Sequence, residues 1–216
     1  IGHCLHSVVN KVKKPFLGNG VFAVNCEIYN WKELAEKYKL KPTNDAELFF
    51  FLVEKLGVEK TLNLVDGDYA GIYYRENKIY LFRDRIGVKP IWYSIDNGFG
   101  FASERKVLRK LNFENIFELN PREIVIYDTV KKEISSANLQ FYDFKVNDLE
   151  YSQLKKQTAE LLINSIAKRI PEVKFGLLFS GALDSSFIAL ILKKLEVNFT
   201  CYTCVVKDSG KIPEDL

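Results

Sequence analysis

The chain has 216 residues, of which 47% are hydrophobic and 13% aromatic, so it can form one large or two small globular domains and is neither disordered nor fibrous. Its 31 basic and 28 acidic residues give a formal net charge of +3 and are mixed along the chain, which supplies no basic stripe for nucleic acid. No apolar run reaches the roughly 18 residues of a membrane span and no secretory signal is recognisable, so a cytoplasmic protein is expected.

The first two thirds of the chain predict strands with two early helices. Residues 21–29, VFAVNCEIY, have the β-branched and aromatic content of a strand. Asn30 and Asn44 each precede a helical segment and are each followed three positions later by a glutamate, so both are predicted N-caps. Gly57 is predicted to end the second helix.

Four further strand-like segments predict an antiparallel meander, with short polar turns between them. They are residues 67–75, 77–84, 90–95 and 99–103. A short helix from Ser103 and a hairpin over residues 122–136 follow. We expect this first, α+β domain to cover residues 1–145.

A second domain, residues 146–216, is predicted to begin with a helix over 152–169. The apolar run 174–180 is followed at once by a helix and then by a second strand-like run, which predicts a βαβ unit with parallel strands. One such unit cannot bury both faces of a parallel sheet, so this α/β domain is expected to be truncated. The absence of methionine and the start at Ile1 also suggest a fragment.

The four cysteines, Cys4, Cys26, Cys201 and Cys204, are too few and too scattered for a disulfide framework. The pair Cys201 and Cys204 lacks a second ligand pair, which disfavours zinc. We expect these two side chains to pack as small hydrophobes in a strand.

The break Ser180–Ser186 between the apolar strand and the next helix is a candidate phosphate loop. Small residues before a helix leave backbone N–H groups free for an anion, and a magnesium ion at Asp184 would offset the repulsion between its carboxylate and phosphate. The alternative is an ordinary turn in which Asp184 or Ser185 caps the helix. A positive φ at Ala182 would cost roughly 1–2 kcal/mol, whereas a negative φ would cost little.

Three stretches together resemble the glutamine-hydrolysing asparagine synthetase family: NCEIYN at 25–30, RDRIGVKPIWY at 83–93 and FASERKVL at 101–108. The segments IGHCLHSVV and NDAELFFFL are also similar to runs in that family, and Ser180–Ser185 resembles the Ser-Gly-Gly-x-Asp-Ser loop of ATP pyrophosphatases with Ala182 in place of the second glycine. The resemblance covers nearly the whole chain.

This resemblance implies a class II, Ntn-type glutaminase domain, a sandwich of antiparallel sheets with helices, followed by the start of an ATP-pyrophosphatase-type synthetase domain. Ammonia from glutamine would attack an aspartyl adenylate to give asparagine, AMP and pyrophosphate. The implied cofactors are ATP and Mg²⁺, and the implied partners are small-molecule substrates, without nucleic acid or membrane. A homodimer is left open.

The resemblance also assigns roles to residues. Asn25 and the backbone N–H of Cys26 would bind the oxyanion, and Asp45 would bind the α-amino group of glutamine. Arg83, Asp84 and Lys89 are expected to form a structural ion network. From the residues alone, Asn25 could instead be a strand-end residue and Asp45 could reinforce the helix cap. The implied ATP and pyrophosphate ligands are Phe179, Ser180, Gly181, Ala182, Asp184, Ser185, Ser186 and Cys204, with Mg²⁺ at Asp184.

Several positions depart from the family pattern. The N-terminal cysteine nucleophile is absent, so the chain as given is expected not to hydrolyse glutamine, and Leu5 stands where the family has a carboxylate-binding arginine. Cys26 and Ala182 each replace a glycine. Two alternatives therefore remain: an adenylating enzyme similar to β-lactam synthetases, or a catalytically impaired scaffold of the same family.

Overall fold

The computed structural model describes residues 14–96, 98–139, 146 and 148–204. The chain divides near residue 143 into two compact units. Leu5 and Cys4 lie outside the described residues. Each unit is described by itself below.

Unit 1 contains nine strands and four helices within the described residues. The strands are β1 Phe16–Leu17, β2 Val21–Ile28, β3 Gly67–Arg75, β4 Lys78–Arg83, β5 Trp92–Ser94, β6 Gly100–Ala102, β7 Phe117–Glu118, β8 Glu123–Asp128 and β9 Glu133–Asn138. The helices are α1 Trp31–Tyr38, α2 Asp45–Leu56, α3 Val58–Leu62 and α4 Arg105–Lys110.

The strands of unit 1 form two antiparallel sheets. One has six strands in the order β1-β2-β3-β4-β8-β9, and the other has three in the order β6-β5-β7. The prediction of a single meander is wrong, because β3 and β4 belong to the first sheet whereas β5 and β6 belong to the second. The chain changes sheets after β4, where a tight turn begins at Asp84.

Both faces of the six-stranded sheet are buried, which accounts for the high apolar content of its strands. On one face α2 packs through an aromatic cluster that includes Phe22, Phe49 and Phe82. On the other face, Ile72 and Leu81 belong to a second cluster, together with residues of and beside the three-stranded sheet. This arrangement confirms the predicted α+β sandwich of antiparallel sheets with helices.

The helix boundaries agree in part with the predicted caps. The Asn44 side chain accepts a hydrogen bond from the Glu47 N–H at 2.9 Å, and Gly57 ends α2 with a φ of 83°. Asn30 precedes α1, but its side chain instead accepts from the Asp66 N–H and donates to the Leu64 carbonyl, both at 2.9 Å. The predicted Asn30 cap is therefore wrong, because this amide ties α1 to the entrance of β3.

Arg83 and Asp84 are buried structural residues, with exposed fractions of 4% and 2%. Arg83 donates to Glu118 at 2.8 Å and to the Leu119 carbonyl at 3.1 Å. The Asp84 carboxylate accepts from the backbone N–H groups of residues 87, 88 and 89 at 2.7–3.0 Å. In the described residues, Lys89 joins this network only through its backbone, so Glu118 is the ionic partner that the sequence argument missed.

Unit 2 contains helix α5 Tyr151–Ala167, strand β10 Gly176–Leu178, helix α6 Leu183–Lys194 and strand β11 Thr200–Tyr202. The two strands pair in parallel, with Leu177 opposite Cys201, and α6 connects them. These elements form the βαβ arrangement that the sequence predicts. None of the helices in the described ranges is long and apolar enough to cross a bilayer.

Candidate functional site

The candidate site in unit 1 lies along one edge of β2. All eight residues of β2 pair with β3 on one side, from Val21 opposite Tyr74 to Ile28 opposite Gly67. In an antiparallel strand, the N–H and C=O groups of alternate residues point to the same side. The Ile28 N–H donates to Asp45, which is not on β3, so Ile28 directs its N–H to the side of β2 away from β3. The N–H of Cys26 and the C=O of Val24 point to that same side, which we call the β2 edge.

Asp45 places its carboxylate against this edge. Its Oδ2 accepts from the Ile28 N–H at 3.0 Å and lies 3.9 Å from the Cys26 Sγ, and its Oδ1 accepts from the Ala46 N–H at 2.8 Å. Asn44 caps α2, and Asp45 also reinforces the start of the helix through its bond to the Ala46 N–H. The carboxylate thus faces β2, two residues along the strand from the Cys26 N–H.

The Cys26 side chain points away from the β2 edge and packs against the aromatic core beneath α2. Burial raises the pKa of its thiol well above the usual range, and the Asp45 carboxylate raises that pKa further. The thiol therefore stays protonated at neutral pH and can donate to Asp45. The side chain that replaces glycine is accommodated without turning the N–H from the edge.

Asn25 lies on the opposite face of β2 from Cys26, since successive side chains of a strand alternate. It is exposed and stands opposite Ala70 of β3. The fold therefore brings Cys26 and Asp45 together, whereas the Asn25 amide reaches the same strand segment from the other face.

Two lysines and a glutamate complete the charges around this edge, and sequence reasoning missed all three as site residues. Lys14 donates from its ammonium to the Val24 carbonyl at 3.0 Å. Partial burial and Asp45 raise the pKa of Glu27, whereas Lys89 and Lys14 lower it. The signal for Glu27 was present in NCEIYN. No sequence pattern indicates Lys14 as a site residue, because only the pairing of β1 with β2 brings it close to the β2 edge.

In unit 2, the backbone angles of the loop before α6 suit the residues at each position. Gly181 has a φ of 83°, a conformation that favours glycine, and Ala182 has a φ of −66° and a ψ of 166° as the residue preceding α6. The Ala182 methyl group therefore imposes no backbone strain. Of the two cases that the sequence left open, the structure shows the negative φ.

The loop hydroxyls hydrogen-bond within the loop. The Ser185 Oγ lies 3.1 Å from the Ser180 Oγ and donates to the Ala182 carbonyl at 3.1 Å, while the Ser186 Oγ donates to the Gly181 carbonyl at 3.1 Å. These bonds fix the turn. The first N–H groups of α6 have no intrahelical acceptors by geometry and are the groups available to an anion.

Asp184 is exposed in the first turn of α6. Across the described parts of the chain, no group of three or more His, Cys, Asp or Glu side chains could hold a metal ion. Phe179 and Cys204 follow the carboxyl ends of the parallel strands β10 and β11, where the Phe179 carbonyl accepts from the Thr203 hydroxyl at 2.7 Å. Cys201 and Cys204 are exposed, so the expectation that they pack as small hydrophobes is wrong.

A comparison with known protein families identifies the family of this chain. The family described as "Glutamine amidotransferase domain" matches residues 1–160. The chain belongs to this glutamine amidotransferase family. The match covers all of the described part of unit 1, including the β2 edge with Cys26 and Asp45.

Curated relatives confirm the resemblance to glutamine-hydrolysing asparagine synthetases. A probable asparagine synthetase of Acanthamoeba polyphaga mimivirus is 30% identical over 83% of this chain and 38% of its own length. A putative asparagine synthetase of Methanocaldococcus jannaschii is 35% identical over 76% of this chain and 34% of its own length. The asparagine synthetase of Gallus gallus is 30% identical over 86% and 38%. The chain therefore spans little more than a third of these relatives.

Solved structures with the same fold are more distant. The glutamine phosphoribosylpyrophosphate amidotransferase of B. subtilis has a TM-score of 0.53 and 17% identity, over 87% of this chain and 48% of its own. An allosteric regulatory enzyme of purine biosynthesis has a TM-score of 0.51 and 16% identity, over 94% and 48%. At this identity the likeness establishes the fold alone, that of Ntn-type glutamine amidotransferases.

The contact between Cys26 and Asp45 predicts slow alkylation of the thiol. At pH 8 iodoacetamide should modify Cys26 in the folded protein at least about 10-fold more slowly than in urea, because only the thiolate reacts. Asp45→Asn should accelerate the reaction in the folded protein by removing a carboxylate that opposes ionisation. Mass spectrometry of the peptide containing Cys26 gives the rates.

Asp128→Asn is the matched control, since Asp128 also accepts two backbone N–H groups, in the turn after β8. It should leave the Cys26 rate unchanged. Equal rates in the Asp45→Asn and wild-type proteins would show that the two side chains do not interact.

Proposed function

We propose that unit 1 binds glutamine at the β2 edge and releases its amide nitrogen as ammonia, within an asparagine-synthetase-type protein that uses this ammonia to make asparagine. The observation that carries the proposal is the Asp45 carboxylate on the Ile28 N–H, two residues along the same strand edge from the Cys26 N–H. Family membership supports glutamine as the nitrogen donor. The asparagine product comes from the names of the relatives.

In this proposal Asp45 binds the α-amino group of glutamine, because the Ile28 and Ala46 N–H groups hold its carboxylate in place for a charge-assisted hydrogen bond. The side-chain carbonyl of glutamine lies at the Cys26 N–H, which stabilises the oxyanion formed when a nucleophile adds to the amide carbon. The resemblance assigns that nucleophile to an N-terminal cysteine. Asn25 contributes its amide to the same oxyanion from the exposed face of β2.

Unit 2 is proposed to bind ATP at the loop between β10 and α6. Gly181 and the first turn of α6 would hold the pyrophosphate group, because free N–H groups and the helix dipole favour an anion there. Phe179 and Cys204 would lie beside the nucleotide at the ends of the parallel strands. Ser180, Ala182, Ser185 and Ser186 shape the loop through the bonds described above.

Mg²⁺ at Asp184 would neutralise phosphate charge when ATP is bound. In this proposal the ATP phosphates supply the other ligands, since the described residues hold no group of three or more candidate metal ligands. Aspartate is the proposed acceptor, and the expected setting is the cytoplasm. A β-lactam-forming reaction and a scaffold are the alternatives, and asparagine formation in the following experiment tests the proposed reaction against both.

Asp45→Asn should strongly lower glutamine-dependent synthesis and preserve ammonia-dependent synthesis. In the complete protein supplied with aspartate, ATP and Mg²⁺, we expect kcat/KM for glutamine to fall about 100-fold, roughly 2–3 kcal/mol, through the lost charge pair. Activity with ammonium chloride should change less than about twofold. Asparagine and pyrophosphate release are measured together.

Asp128→Asn again serves as the control and should match the wild type with both donors. No asparagine from either donor in the wild-type protein would contradict the proposed function and favour one of the two alternatives. Equal loss of both activities in Asp45→Asn would contradict the role of Asp45 in glutamine binding.

Two substitutions in the loop before α6 test the proposed ATP binding. Gly181→Ala places a methyl group at positive φ, so the free loop should relax out of the binding conformation and ATP binding should weaken about 5–30-fold, equivalent to roughly 1–2 kcal/mol. Ala182→Gly should leave the affinity within about twofold, because φ is already negative and glycine is accepted before a helix. Titration calorimetry with ATP and Mg²⁺ checks both, and stronger binding by Ala182→Gly would show that the methyl group obstructs the phosphate.

A further inference from the structure

We propose that Lys14 is an electrostatic catalytic residue of the glutamine site, stabilising the oxyanion that forms at the Cys26 N–H. This inference rests on the proposed glutaminase function. It assigns a role to a residue that neither the sequence motifs nor the family resemblance single out.

The position of Lys14 follows from the pairing of β1 with β2. Phe16 stands opposite Phe22 in the antiparallel pairing of β1 with β2, and Lys14 precedes β1 by two residues. The ammonium donates to the Val24 carbonyl at 3.0 Å. That carbonyl and the Cys26 N–H point to the same edge and lie less than one two-residue repeat apart, about 7 Å.

The charges along this edge suit a glutamine molecule laid along β2. The Asp45 carboxylate lies at Ile28, one repeat beyond the Cys26 N–H, and the Lys14 ammonium lies at Val24 on the other side. An α-amino group at Asp45 therefore places the side-chain carbonyl of an extended glutamine near Cys26. The carbonyl oxygen then faces the positive charge of Lys14.

The ammonium lies close enough to influence neighbouring groups. Burial and Asp45 raise the pKa of the Cys26 thiol and that of the Glu27 carboxyl group, and Lys14 opposes both increases. Its side chain is half-buried, which limits screening by solvent and salt.

The Lys14 charge affects the stage of the reaction at which the glutamine carbonyl oxygen is negative. Addition of a thiolate or water to the glutamine amide carbon forms one bond to carbon and moves the C=O π pair onto oxygen. Collapse of that intermediate re-forms the C=O bond and breaks the C–N bond, and the nitrogen takes up a proton and leaves as ammonia. Addition of water gives glutamate directly, whereas addition of a thiolate gives a thioester that water then hydrolyses to glutamate and the thiol. The oxygen carries full negative charge only between these events, so Lys14 lowers the barrier more than it strengthens substrate binding.

The test compares Lys14→Met and Lys14→Arg in the complete protein, measuring ammonia release from glutamine. Lys14→Met keeps the aliphatic stem without the charge and should lower kcat at least about 10-fold, or roughly 1.4 kcal/mol, with KM within about twofold. Lys14→Arg should recover most of kcat. Lys55→Gln is the control, because the Lys55 ammonium also donates to a backbone carbonyl, that of Tyr38, and its loss should change neither parameter.

Thermal unfolding of each variant reports on folding, and an unchanged midpoint with lost kcat supports the electrostatic role. Wild-type kcat in a folded Lys14→Met protein would overturn this inference alone. A higher KM with unchanged kcat would also overturn it, assigning Lys14 to substrate binding. An inactive wild-type protein would overturn the proposed function and this inference with it.

Discussion

The eight-residue pairing of β2 with β3 is the constraint on which the rest of unit 1 depends. It runs from Val21 opposite Tyr74 to Ile28 opposite Gly67, where a side chain at Gly67 would collide with the backbone of Glu27. A slip of one residue would exchange the two faces of the strand and bury Asn25 and Glu27 in the aromatic core. The same register directs alternate N–H and C=O groups of β2 away from β3, and these groups define the candidate site.

At the β2 edge, the backbone and the side chains supply different groups to a bound glutamine. The backbone supplies a fixed N–H donor at Cys26, which needs no reorganisation when charge develops on a bound carbonyl. The side chains supply opposite charges on either side of it, Asp45 from the first turn of α2 and Lys14 from the residue that precedes Pro15. The Cys26 thiol faces the core, so the replacement of glycine leaves this arrangement intact. Leu5 contributes nothing to this account, since it lies outside the described residues.

Most local elements could be predicted from the sequence because their signals are local. Asn44, Gly57 and the apolar run before Ser180 mark boundaries that depend only on neighbouring residues. The division of the strands into two sheets could not be predicted, since it depends on the buried turn at Asp84. The Asn30 side chain does not cap α1, because it accepts a hydrogen bond from the N–H of Asp66, 36 residues away. The motifs pointed to Asn25, Cys26 and Asp45, whereas Lys14 and Glu118 act through contacts that distant pairing creates.

Glutamine binding at the β2 edge can be observed directly at the backbone amide of Cys26. The complete protein is labelled with ¹⁵N-cysteine, the Cys26 resonance is assigned with Cys26→Ser, and glutamate, the product of hydrolysis, is added so that no turnover occurs. The account predicts a saturable shift of the Cys26 amide resonance that Asp45→Asn weakens or removes. A Cys26 resonance that stays unmoved at saturating glutamate, while another cysteine amide shifts, would place the ligand elsewhere and contradict the account.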